Sequence, residues 1–235
     1  MLQNEYLNKK TNRAENIEKK EKKDEIIKDN FIIGIIRVLK NNSKYRIINF
    51  LKKKNEDEIK DCEIYINDKK IEFNYYYIFP NKGNYIIKYV FQKLLNSTNS
   101  MFYNCSSLIS LDLSNFNTQN ITDIGDMFYG CKSLISLNLL GFNTQKVTNM
   151  RSLFSNCNSL ISLDLSNFNT QNVKDMGYMF SECMSLLSLN LSNFNTHKVT
   201  KMNHMFNGCK SLTNLNLPKN DKKTCEKIIY QYKHK

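Results

Sequence analysis

The rows that decide the fold begin at Met101. Residues 101–126 read MFYNCSSLISLDLSNFNTQNITDIGD, 127–152 MFYGCKSLISLNLLGFNTQKVTNMRS, 153–178 LFSNCNSLISLDLSNFNTQNVKDMGY and 179–204 MFSECMSLLSLNLSNFNTHKVTKMNH, and a fifth row opens with MFNGCKSLTNLNLPKN. Cys105, Cys131, Cys157, Cys183 and Cys209 fall in one column, and Phe102, Phe128, Phe154, Phe180 and Phe206 in another. A fixed period of 26 without insertions makes each row one structural unit, whose apolar face must be buried by its neighbours.

Within a row, Leu108, Leu111 and Leu113 stand as L-x-x-L-x-L, followed by Asn115 and Phe116, and the order recurs from Leu134, Leu160, Leu186 and Leu212. The L-x-L part predicts a short strand with alternate residues inward, and stacking predicts a parallel sheet with strands about 4.8 Å apart. A second alternation at Ile121–Ile124, Val147–Met150, Val173–Met176 and Val199–Met202 predicts strands on another side. Between them, M-F-x-x-C has room for one helical or 3₁₀ turn. These rows closely resemble the 26-residue leucine-rich repeats of BspA-like surface proteins of bacteria and protists, through the core M-F-x-x-C-x-S-L-x-x-L-x-L-S-N-F-N-T over residues 101–217. The resemblance implies a right-handed repeat solenoid used for adhesion or protein recognition, no catalytic activity, and a place at the cell surface.

From Phe31 to Leu95 the repeat is absent. FIIGIIRV, KYRIINF, CEIYIN, KIEFNYYYIF and NYIIKYVFQ predict five or six strands in a small antiparallel sheet or sandwich. Asn67–Lys70 and Pro80–Gly83 read as hairpin turns. The string FPNKGNYIIKYVF resembles the late hairpin of an immunoglobulin-like module. A repeat array exposes strand edges at its ends, so residues 31–98 are expected to cap the first row. At the other end, residues 218–235 are expected to form a short helix with Ile228, Ile229 and Tyr232 on its apolar face, capping the last row. The fold class expected is therefore mainly β: a leucine-rich repeat solenoid of four and a half coils with parallel sheets over 99–217, preceded by an antiparallel β-rich capping domain.

Residues 1–30 carry mixed charge with no apolar h-region, which predicts a solvated tail or frayed helix and makes a cytoplasmic location the default. The net charge of +12 raises nucleic acid as a partner, but residues 99–217 hold seven basic and six acidic side chains, so the surplus lies outside the repeats. Lys52–Lys54 is balanced at once by Glu56–Glu58. With no basic face interleaved with aromatics, nucleic-acid binding is not expected. No apolar run approaches the roughly 18 residues of a membrane span.

Seven Cys cannot all pair within one chain, and no C-x-x-C provides zinc-ligand spacing. The five aligned Cys are expected to be small buried hydrophobes rather than ligands or disulfides. The Asn-Thr columns Asn117/Thr118, Asn143/Thr144, Asn169/Thr170 and Asn195/Thr196, with Asn115, Asn167 and Asn193, are expected to bond the backbone at the turns. Sequons at Asn41, Asn96, Asn104 and Asn120 matter only on a secreted chain. His197, His204 and His234 join no nucleophile–base–orienter trio, so no enzyme, cofactor or metal site is expected.

Between the inward Leu the surface positions are monotonous. Variety appears at the turns, and Asp126, Tyr129, Arg151, Tyr178 and His204 are the candidate partner contacts. The reading is a non-enzymatic protein-interaction module with an unidentified protein partner. The alternatives are an adhesin-like surface protein and a structural protein that self-associates through its repeat face.

Overall fold

A computed structural model describes residues 30–49, 59–218 and 221–233. All but Asn30 of the expected tail, the Lys52–Lys54 and Glu56–Glu58 runs, and His234 lie outside these residues. The strands are β1 (Phe31–Val38), β2 (Ser43–Arg46), β3 (Glu63–Ile66), β4 (Lys69–Ile71), β5 (Tyr76–Phe79) and β6 (Gly83–Val90), followed by β7 (Leu108–Asp112), β8 (Ser136–Asn138), β9 (Ser188–Asn190) and β10 (Asn214–Asn216). One helix follows, α1 (Lys222–Lys233). No described helix is long and apolar enough to cross a membrane.

In β1, Ile32, Ile36 and Val38 are buried and Ile33 and Arg37 exposed, the alternation a strand with one buried face requires. Gly34 lies on the buried side because a Cβ there would stand 3.0 Å from Leu111 Cδ2. The Asn67–Asp68 turn between β3 and β4 has both residues left-handed, at φ 46° and 62°, the backbone of the two-residue hairpin turn that Asn and Asp tolerate. Pro80–Gly83 closes no hairpin: β5 pairs with β2, whereas β6 lies between β3 and β1. It carries the chain from one sheet to another, so the immunoglobulin-like hairpin is not formed.

The expected solenoid of parallel sheets behind a separate antiparallel cap is not what forms. The largest sheet is mixed and six-stranded, in the order β4-β3-β6-β1-β7-β8, and β1 pairs antiparallel with both β6 and β7. β1, β3, β4 and β6 thus share one sheet with the first two rows, while β2 and β5 form a separate pair. The parallel pairing stops after β7–β8, resumes only at β9–β10, and leaves no strand at 160–164. Three-residue strands hold too few ladder bonds to enforce a continuous sheet. On the other side, the strands expected near Ile121 and its equivalents reduce to single parallel bridges, Ser97–Asp123–Asn149–Asp175–Lys201.

Turn hydrogen bonds and side-chain ladders do most of the joining between rows. The amides of Phe102, Phe128, Phe154 and Phe180 each donate to a carbonyl of the following row at 2.9–3.1 Å. The Phe102, Phe128, Phe154, Phe180 and Phe206 rings stack at 5.7–6.1 Å. Tyr89 meets one end of this column edge-on and Tyr232 of α1 the other. A threonine ladder runs alongside. Asn143 N donates to Thr118 Oγ1 at 2.7 Å, and Asn169 N to Thr144 and Asn195 N to Thr170 at the same distance. Residues from outside the repeat finish both ends, since Asn117 N donates to Asn30 Oδ1 and Thr196 N to Thr224 Oγ1.

Candidate functional site

Each row turns twice through left-handed backbone. One column is Ser100, Asp126, Ser152, Tyr178 and His204, at φ 52–60°, and the other is Asn104, Gly130, Asn156, Glu182 and Gly208, at φ 56–75°. The second holds mostly residues suited to that conformation. A left-handed Tyr is uncommon and is held only where its surroundings fix it. Tyr178 N donates to Asn203 O at 2.9 Å and Ser181 N to Tyr178 O at 3.0 Å. Just upstream, Asp175 Oδ1 accepts Gly177 N at 2.9 Å, as Asn149 Oδ1 accepts Arg151 N at 3.0 Å, so a side chain braces each tip.

These braces set the candidate contacts in two clusters. The Arg151 guanidinium lies over the Tyr178 ring at 4.8 Å, and that ring stacks on the His204 imidazole at 5.0 Å. Gly177 leaves the path open, because a Cβ there would stand 3.3 Å from Arg151 Nη1. Tyr129 lies in the second cluster, stacked on Tyr103 at 4.7 Å with the rings 7° from parallel. Asp126 joins the clusters through its backbone: its N–H donates to Arg151 O at 2.8 Å and its carbonyl accepts Tyr129 N at 3.0 Å. Tyr103 was not singled out from sequence, although it stands one period before Tyr129. Burial, the neighbouring Tyr129 and the Asp126 charge raise its phenol above the ordinary value.

The line of tips extends into the N-terminal sheets, which carry no periodic signal. Asn49 Nδ2 donates to Ser100 O at 3.3 Å, and Arg46 donates to Asn49 Oδ1 and the Tyr76 hydroxyl. Arg46 and Lys44 both sit over the Tyr76 ring, at 4.6 and 4.8 Å. Neither Arg151 nor Arg46 has a carboxylate partner among the described residues.

The other candidate chemistry stays apart. Cys105, Cys131, Cys157, Cys183 and Cys209 are buried, and none forms a disulfide among the described residues. The last four thiols donate to the carbonyls of Phe102, Phe128, Phe154 and Phe180 at 2.9–3.2 Å. Burial raises the Cys105, Cys131, Cys157 and Cys183 thiols far above the usual range, which suppresses the thiolate that nucleophiles and metal ligands need. Among the described residues no three His, Cys, Asp or Glu gather for a metal. His197 meets Asp221 of the C-terminal segment at 3.2 Å, whereas His204 stacks on Tyr178.

The family described as "Mycoplasma protein of unknown function, DUF285" matches residues 96–220, which is more than half of the chain and takes in every row. No curated protein and no solved structure matches the chain.

Proposed function

We propose that this chain, which belongs to the DUF285 family, is a non-enzymatic protein-interaction module that contacts its partner through the turn tips. One observation carries the reading. The tips concentrate aromatic and guanidinium side chains, the types enriched where proteins bind proteins, on backbone fixed by hydrogen bonds. Arg151, Tyr178 and His204 are pre-ordered by their mutual stacking, so little side-chain entropy is lost on contact. The rings face one another rather than standing free to receive bases, which favours a protein partner over a single-stranded nucleic acid.

The test is quantitative affinity capture from the native cell with the full chain and with the variant Arg151→Ala/Tyr178→Ala/His204→Ala. Arg151 and His204 are exposed and Tyr178 is half-buried, so the variant is expected to fold and to melt within several degrees of the parent. Proteins captured by the parent and depleted at least tenfold with the variant support the reading. An identical set with both chains contradicts it.

The M-F-x-x-C-x-S-L core favours a second reading, an adhesin-like protein at the cell surface, through its resemblance to BspA-like repeats. Protease shaving of intact cells separates the two. Loss of the chain from unbroken cells supports the surface reading, and full protection removes it.

A further inference from the structure

A second face of the molecule is apolar where it meets water. Along the outer side of the rows Ile135 is 50% exposed, Ile161 49% and Leu187 51%. The line continues into the N-terminal sheet without a gap. Ile135 N donates to Ile109 O at 3.0 Å, and Ile109 is the extra residue at the bulge opposite Ile35 and Ile36. Ile35 in turn is the register partner of Ile86, itself 52% exposed. Six aliphatic side chains, Ile86, Ile35, Ile109, Ile135, Ile161 and Leu187, therefore form one line across the N-terminal sheet and four rows. Four half-exposed side chains with the more covered Ile35 and Ile109 leave on the order of 400 Å² of apolar surface in water, the size of the largest patch on a typical monomer, which is often functional.

The relief of this face limits what can cover it. Ile135, Ile161 and Leu187 line one side of a groove of about 420 Å³, with Ser159, Ser185 and Ser211 running beside them. A covering partner must present apolar ridges at the spacing of the rows. The same line on a second copy is such a surface, because a two-fold axis along it sets each aliphatic side chain against its own counterpart.

Charge agrees with this pairing. Three residues before the line, the second row carries Lys132, and three residues after it the first and third rows carry Asp112 and Asp164. A two-fold axis running along the line sets the basic flank of one copy against the acidic flank of the other.

We propose that this line is the contact through which two copies of the chain associate face to face. The inference goes beyond the turn-tip reading and uses none of its residues. With flanking residues included, two copies bury roughly 1,000 Å², the low end for a specific interface, so a weak, concentration-dependent dimer is expected.

Sedimentation velocity of the full chain from about 5 to about 500 μM in reducing buffer tests the proposal. The parent is expected to pass from monomer to dimer across this range. Ile161→Lys is expected to remain monomeric throughout, its dissociation constant raised at least tenfold, whereas Arg151→Ala dimerises like the parent. Should Ile161→Lys fail to fold, Ile135→Thr/Ile161→Thr/Leu187→Thr takes its place with the same expectation. A parent that stays monomeric to about 500 μM overturns the proposal, and so does a dimer that survives the substitutions on the line.

Discussion

Thr170 holds two rows together with one hydroxyl, accepting from Asn195 N at 2.7 Å and donating to Asn195 O at 3.0 Å. The residue is buried, so Thr170→Val keeps the volume but strands both backbone groups, at a cost of about 2–4 kcal/mol. Urea unfolding is expected to show that loss, with Thr170→Ser retaining most of the stability. Equal losses in the two variants would mean that the ladder is not what joins the rows. The thiols give a second residue-scale expectation. Six of the seven Cys are buried and Cys225 is half-buried, so a disulfide-exchange reagent should titrate one thiol in the native chain and the rest only on unfolding. Rapid reaction of several thiols in the folded chain would refute the buried column.

At the scale of elements, α1 is held by its start. Asp221 accepts Thr224 N at 2.9 Å as an N-cap, while Thr224 Oγ1 completes the threonine ladder at Thr196. Hydrogen bonds from Thr224, with a smaller contribution from His197, hold the Asp221 carboxyl below its ordinary value. A carboxyl depressed in the folded chain stabilises it above the unfolded value, about pH 4, and that contribution is lost as pH falls through the folded value. The melting temperature of the parent should therefore fall more steeply below about pH 4 than that of Asp221→Asn, which keeps a capping side chain without the titration. Parallel curves would remove Asp221 from the account. The sequence made the row columns and the L-x-L strands of four of the five rows legible, because each depends on residues within one period. Strand partnership was not legible. That β1 lies between β6 and β7, that Pro80–Gly83 links two sheets, and that 160–164 forms no strand depend on long-range pairing, which period and propensity do not encode. The ladder ends Asn30 and Thr224 were missed for the same reason, since neither lies in a row.

For the whole molecule, the +12 charge is a poor guide to its surfaces, because the rows that carry both faces are nearly neutral. The turn-tip residues were partly legible: Arg151, Tyr178 and His204 meet in one stack, while Tyr129 pairs instead with Tyr103. Two columns of one repeat thus acquire different chemistry. At the tips, variation between rows supplies aromatic and cationic groups; along the strands, sameness supplies an apolar line. The central claim is that the tips receive a different protein while the line receives a second copy. Photo-crosslinking in the native cell, with a benzophenone amino acid placed at Tyr178 in one chain and at Ile161 in another, tests both halves in one measurement. The account predicts adducts of the Tyr178 chain with other proteins and an adduct of twice the chain mass from the Ile161 chain. The same products from both positions, or self-adducts from Tyr178 alone, would contradict it.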